Sequence, residues 1–223
     1  DASVDYFEPE FVLASRGERH YLSLVPRQLN TRTTSLLPTI SIAPSGVTFS
    51  TFIGSTGGES VTDMDVDAFG NVYLTGSTNS ISFPTTPGTF DQSFNGLSDA
   101  FIMKLNSAGS ELLYSTYIGG DNSDEGRSIV ADADGSAYIT GQVVSYNFPT
   151  TPGAYRTTYS SGASEVFITK INSTGSSLQY STFLGGTNLD IGSSIVLHGD
   201  RSVTVVGSTR SSNFPTTSDA FDR

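Results

Sequence analysis

Apolar and polar positions alternate along most of the chain, and the apolar runs are short. Ser128-Ile129-Val130-Ala131-Asp132 stops at Ala133-Asp134-Gly135, and Ser136-Ala137-Tyr138-Ile139-Thr140-Gly141 follows. Alternation closed by an Asp-Gly pair predicts a β-hairpin. Glu165 to Asn172, the turn Ser173-Thr174-Gly175-Ser176 and Leu178 to Leu184 predict a second hairpin. Phe101 to Asn106, followed by Ser107 to Ser110, repeats it earlier in the chain. The long connection between hairpins carries Phe-Pro-Thr-Thr, and prolines without a donor suit a loop better than a central strand. Near the start, Phe11 to Ser15 and Arg19 to Val25 predict a hairpin around Arg16-Gly17-Glu18. Ser35 to Ala43 and Val47 to Ile53 would extend it to a four-stranded sheet.

The pattern repeats. Phe49-Ser50-Thr51-Phe52-Ile53-Gly54 returns as Tyr114-Ser115-Thr116-Tyr117-Ile118-Gly119 and as Tyr180-Ser181-Thr182-Phe183-Leu184-Gly185, in steps of 65 and 66 residues. Phe83-Pro84-Thr85-Thr86, Phe148-Pro149-Thr150-Thr151 and Phe214-Pro215-Thr216-Thr217 keep the same beat, as do Gly76, Gly141 and Gly207. Each unit reads as four short strands, which makes the chain all-β and built of propeller-type blades of four antiparallel strands. A blade buries both faces, so its strands should be apolar on both sides, as Ile129 and Ala131 on one face and Val130 on the other suggest. Solenoid repeats are shorter, and a sandwich does not require such a period.

The segment 114–120, the acidic stretch Asp121 to Gly126, the Asp-Gly hairpin and Phe-Pro-Thr-Thr-Pro-Gly at 148–153 together resemble the bacterial SBBP β-propeller repeat. The resemblance covers about residues 47–223, and the family's name refers to seven-bladed propellers. It implies a secreted, periplasmic or cell-surface bacterial protein and transfers no catalytic residue. Ile40-Ser41-Ile42-Ala43-Pro44 also resembles the close of the β-rich domain that often precedes such repeats.

The expected organisation is an N-terminal β segment at 1–46, an extra blade or the remnant of a preceding domain, followed by repeats at 47–223. The repeats divide into units 49–113 and 114–179 and a partial unit 180–223. A closed ring needs at least about four blades. An open stack leaves a strand edge and an apolar face in water, and both favour association. The chain is therefore expected within a longer polypeptide, or in an assembly in which copies of itself or another protein partner complete or cap the blades.

Composition narrows the function. The chain has 223 residues, 22 acidic and 11 basic, for a net charge of −11. Residues 1–46 contribute −1 of this and residues 47–223 contribute −10, so the acidity belongs to the repeats. Such a chain repels phosphates, which argues against nucleic acid and against a peripheral anchor to anionic lipid. No apolar run approaches the roughly 20 residues of a spanning helix. Cysteine is absent, which removes disulfides, thiolate zinc and cysteine nucleophiles and fits an exported bacterial protein. The start at Asp1, without a signal-peptide apolar stretch, reads as a mature or trimmed product.

Candidate sites are few. Asp63, Asp65 and Asp67 alternate, which places three carboxylates on one side of a strand as a weak cation candidate. Their equivalents, Ser128, Val130 and Asp132 and then Ser194, Val196 and His198, do not keep the pattern, and no twelve-residue calcium loop is seen. Glu59, Asp124 and Asp190 fall at equivalent places after the Gly-rich loop, where a carboxylate can accept backbone N–H groups and fix the connection between blades. Phe90, Tyr155 and Phe221, with Tyr146, read as aromatics packed between blades. His20 and His198 lie in different segments, and no Gly-x-Ser-x-Gly elbow or phosphate-binding loop is present. No cofactor is implied. The expectation is a non-enzymatic module acting in binding or as an assembly scaffold. The alternatives are an accessory subunit on the extracytoplasmic face of a larger, possibly membrane-bound, complex and a propeller-based hydrolase or metal-dependent enzyme.

Overall fold

A computed structural model describes residues 10–16, 19–25, 49–160 and 162–221. Every element in it is a β-strand. Strands β1 (Glu10–Arg16), β2 (Arg19–Val25) and β3 (Ser50–Ile53) form an antiparallel sheet in that order. Strands β4 (Glu59–Val66), β5 (Val72–Thr78), β6 (Asp99–Leu105) and β7 (Leu112–Ile118) form the first complete blade. The second consists of β8 (Asp124–Ala131), β9 (Ala137–Val143), β10 (Glu165–Ile171) and β11 (Leu178–Leu184). Strands β12 (Asp190–Leu197) and β13 (Val203–Thr209) pair as a two-stranded sheet, and the sheets do not close into a ring.

The expected blade of four antiparallel strands is present, but its phase differs from the sequence units. The strand that opens each unit, such as β7, hydrogen-bonds to the hairpin before it, with Phe101 opposite Tyr117. A short turn, Asn106 to Glu111, closes β6 onto β7, and the tight loop Gly119 to Ser123 then starts the next blade. β3 accordingly belongs to the N-terminal sheet, where Tyr21 stands opposite Phe52 as Phe101 does opposite Tyr117. The expected N-terminal hairpin is formed by β1 and β2, whereas the strand expected at 35–43 lies outside the described residues.

Period-two alternation places two different cores on the two faces of one strand. Along β6, Ala100 and Ile102 join Tyr73, Tyr114, Ile118, Ile129, Ile139 and Phe167 between the two complete blades. Phe101, Met103 and Leu105 face the other way, onto Ile53, Leu74, Phe83 and Tyr117. All seven residues of β6 are buried. Fully burying one such aromatic or aliphatic side chain stabilises the fold by about 1.5–3 kcal/mol.

The recurrent glycines have a local cause. The first strand of each blade bulges between Val61 and Asp63, Gly126 and Ser128, and Gly192 and Ser194. The bulge turns the carbonyls of Ser60, Glu125 and Ile191 against Gly76, Gly141 and Gly207, where a Cβ would collide with them. The Asp-Gly turn works as predicted, with Gly135 at φ 84°, while in the last sheet Arg201 takes the same left-handed position at φ 68°. A non-glycine there costs about 1–2 kcal/mol.

The Phe-Pro-Thr-Thr segment is a loop, and it covers the outer edge of its own blade. Thr86 N donates to Ser115 O at 3.1 Å, and Ser115 N donates to Thr86 Oγ1 at 3.0 Å. Tyr117 N donates to Asp91 O at 3.0 Å. Thr151, Ser181, Arg156 and Phe183 repeat the arrangement in the second blade. The Phe-Pro-Thr-Thr marker of one unit is thus bonded to the marker that opens the next unit, and the connection occupies an edge that would otherwise pair with another strand.

Candidate functional site

The three alternating aspartates do not converge. Asp63 and Asp65 point from β4 to the next blade, where Asp63 Oδ2 accepts Ser128 Oγ at 2.7 Å and Ile129 N at 2.9 Å. Asp65 Oδ2 accepts Ala131 N at 2.7 Å. These N–H groups belong to β8, the first strand of its sheet, and the carboxylates satisfy an edge that has no strand beyond it. At the following seam Ser128 replaces the aspartate, and its Oγ accepts Ile195 N at 3.3 Å. Asp67 lies in the turn after β4, accepting Phe69 N and Asn71 N at 2.9 Å each. Burial raises the Asp67 pKa, but bonds from Asn71, Phe69 and Tyr73 outweigh it and hold the carboxyl below its ordinary value.

Beside this turn, each complete blade stacks a lysine on a tyrosine. Lys104 Nζ sits 4.6 Å from the Tyr73 ring centre and 3.9 Å from Asp67 Oδ2. Lys170 Nζ sits 4.6 Å from the Tyr138 ring centre and 3.4 Å from Asp132 Oδ2. Tyr73 OH donates to Gly135 O of the next blade at 3.0 Å, so the cluster links neighbours. Burial, and after it the Asp67 charge, pushes the Tyr73 hydroxyl well above its ordinary pKa. Burial does the same to Tyr114. In the last sheet the tyrosine is replaced by Thr204, which bonds His198 Nε2 at 2.7 Å.

At the opposite end, Asp124 Oδ2 accepts Gly120 N at 2.8 Å and Ser145 Oγ at 2.7 Å. Its Oδ1 accepts Val144 N at 3.0 Å. Asp190 repeats this with Gly186 N at 2.7 Å and Ser211 Oγ at 2.8 Å. Glu59 differs: its Oε1 accepts Thr78 Oγ1 at 3.1 Å, while Oε2 is buried against Gly54 without a partner among the described residues. Burial raises the Asp124 pKa despite these bonds.

The same end holds a pair that residue-by-residue reading passes over. In the second blade Arg156 Nη2 is bonded to Glu165 Oε2, and Nη1 donates to Gly185 O at 3.1 Å. Glu165 is wholly buried, and its other oxygen accepts Ser160 N at 2.6 Å. In the first blade the equivalents are Asp91 for Arg156, Asp99 for Glu165 and Gly119 for Gly185. Asp99 Oδ2 accepts Asn95 N at 3.0 Å, and Asn95 Nδ2 donates to Asp91 Oδ2 at 2.7 Å. Asp99 Oδ1 has no partner among the described residues. Burial, then the charges of Asp124 and Asp91, raise the Asp99 pKa to about 6 against the pull of its backbone bonds. The signal was available in the chain as a charge reversal between equivalent positions, visible only once the units are aligned.

The aromatics divide. Phe90 packs into the core between the complete blades, and its N donates to Gly175 O in the β10–β11 turn at 2.8 Å. Tyr155 and Phe221, expected to pack in the same way, are exposed, because no such turn lies beyond them among the described residues. Tyr146 is exposed as well and meets Tyr159 edge-on, with ring centres 4.9 Å apart. Among the described residues no strand pairs with the outer edge of β13, whose side chains are exposed apart from the half-buried Val203 and Val205, and Val196 and Val206 present an apolar face to solvent. Among the described residues no three His, Cys, Asp or Glu gather around a metal position, and no helix is long and apolar enough to cross a membrane.

Comparison with known families agrees with this architecture. Residues 44–84 and 113–149 match a family described as the SBBP β-propeller repeat. Each matched stretch runs from the last strand of one sheet through the first two of the next, so it follows the phase of the sequence units. No curated protein matches the chain. The two matched stretches thus carry the SBBP β-propeller repeat, and the four-stranded antiparallel blades around them agree with a propeller-type fold.

Proposed function

We propose that the chain is a non-catalytic propeller module of an exported bacterial protein and that it works as an assembly scaffold through stacked blade faces. One observation carries the reading. The face of the β12–β13 sheet and the free edge of β13 are open, whereas the matching face of the preceding blade is closed by a further sheet. A pocket between the second blade and this sheet is lined by Val166 and Leu184 from the blade and by Ile191, Val205, Val206 and Phe214 beyond it. Exposed apolar surface together with an unpaired strand edge favours association. The export part of the reading rests on the absence of cysteine from the chain.

The test is the native mass by light scattering after size exclusion, beside the denatured mass of the chain. A particle much larger than the 23.6 kDa chain supports assembly, and a soluble monomer with its Val206 face still exposed would overturn it. A screen of ester, phosphate and glycoside hydrolysis, with and without Ca²⁺, tests the non-catalytic reading, and turnover above background would refute it.

A further inference from the structure

We propose that the first blade holds a divalent cation, with Ca²⁺ the best fit, between Asp91, Asp99 and the Gly119 carbonyl, where the second blade places the guanidinium of Arg156. The two blades share strand register on either side of this point, and the loop from Asp91 to Asp99 is one residue shorter than that from Arg156 to Glu165. Asp99 opens β6 opposite Thr78, and Glu165 opens β10 opposite Val143. The preceding loop is tied to the outer strand in the same way in both, with Asp91 N donating to Thr116 Oγ1 at 2.8 Å and Arg156 N to Thr182 Oγ1 at 2.9 Å. In the second blade the charges cancel, because Arg156 bridges the buried Glu165 carboxylate and the Gly185 carbonyl. In the first blade the position of the cation is taken by Asp91, so the pair carries two negative charges instead of none.

A buried carboxylate needs a counter-charge or a full set of donors. Asp99 is 0 % exposed and has no cation beside it among the described residues: its donors are the backbone of Asn95 and Gly96, with Asn95 N on Oδ2, and Oδ1 has no hydrogen-bond partner there. That oxygen lies against Gly119, where a Cβ would collide with it, on the side from which the guanidinium approaches Glu165 in the sister blade. Asn95 links the two carboxylates by donating from N to Asp99 Oδ2 and from Nδ2 to Asp91 Oδ2, while Asp91 Oδ1 accepts Ser93 N at 2.8 Å. Carboxylate and carbonyl oxygens with no nitrogen or sulfur ligand suit a hard cation, and Ca²⁺ tolerates an irregular set completed by water. A divalent ion also restores the neutrality that Arg156 provides next door.

Two carboxylates make a weak site, so the expected dissociation constant is about 10⁻⁴–10⁻³ M. Thermal unfolding of the whole chain should shift upward by about 3–5 °C in Ca²⁺ at tenfold the dissociation constant, relative to EDTA. Calorimetric titration with Ca²⁺ should give about one site per chain. Asp91→Arg, which copies the second blade, should abolish the Ca²⁺ shift and unfold in EDTA near the temperature of the Ca²⁺-loaded protein. Asp99→Asn, nearly isosteric, should also abolish the shift and remain folded. The proposal falls if Ca²⁺ moves neither the transition nor the calorimetric baseline of the unmodified chain. It falls equally if the shift persists in both variants. A chain that gains stability from pH 7 to 5 in EDTA and ignores Ca²⁺ at pH 7 would show Asp99 to be a neutral acid with no bound cation, and would also overturn it.

Discussion

Thr75, Thr140 and Val206 occupy the same place in three successive sheets, and their surroundings differ completely. Thr75 and Thr140 are 0 % exposed and Val206 is 58 % exposed. The two threonines donate to the carbonyls of Phe101 at 2.9 Å and Phe167 at 2.8 Å on the third strand of their blades. Beside Val206 there is no third strand among the described residues. A blade strand thus becomes interior only when both the next strand and the next blade are present. Burial here is a property of the stack, which is how quasi-one-dimensional repeat architectures distribute their stability.

The largest test of this contrast is truncation on either side of it. Phe167→Ala, beneath Phe148 with ring centres 4.8 Å apart, should cost about 3–5 kcal/mol in denaturant unfolding. Val206→Ala should stay within about 0.5 kcal/mol in the isolated chain. If Val206→Ala costs as much as a core truncation, that face is covered in solution and the contrast between interior and open sheets disappears.

A second comparison sets Phe90 against Tyr155. Phe90→Ala removes a side chain packed between blades and should cost about 2–3 kcal/mol, while Tyr155→Ala, on the open side, should be nearly silent. Equal effects in thermal melts would place an unseen neighbour over Tyr155.

The seams give a smaller effect. Asp63→Ala leaves Ile129 N without its acceptor and should cost about 1–2 kcal/mol. In a double-mutant cycle with Ser128→Ala, a coupling near 1 kcal/mol is expected for the 2.7 Å bond between the two side chains. A coupling of zero would mean that core packing alone holds the blades together.

The smallest effect is on acid stability. Asp67 has a folded-state pKa below its unfolded value, so its contribution is fully present above about pH 4. As pH falls through the folded pKa, the unfolded chain binds more protons than the native one, and that contribution is lost. Asp67→Asn should therefore flatten the acid limb of a stability–pH curve below about pH 4. An unchanged limb would place acid sensitivity elsewhere.

Much of this was legible from period and turn chemistry. The β10–β11 hairpin follows from alternation on either side of Ser173 to Ser176, and Asp134-Gly135 marks the β8–β9 turn with the geometry it takes, φ 84° at Gly135. The bulge opposite Gly141 was present only as an unexplained recurrent glycine, because the carbonyl that excludes a Cβ comes from a different strand. Alternation of Asp63, Asp65 and Asp67 correctly placed them at every second position. It could not show that the first two reach across to β8 while the third folds back into its turn. Tyr155 shares the sequence context of Phe90 but not its burial, because a neighbouring blade rather than its own strand covers Phe90.

By itself, the sequence determined that this protein is all-β, repeats every 65 or 66 residues and builds blades of four antiparallel strands. Strand identity, turns and period are local properties, carried by alternation, glycine and proline. Only the tertiary structure decided where one blade ends and the next begins, which carboxylates seal the seams, and that Asp91 and Asp99 face each other's charge where Arg156 and Glu165 cancel. Those outcomes depend on which chemical groups are brought together from strands and blades far apart in the chain, and spacing within one unit carries no record of them.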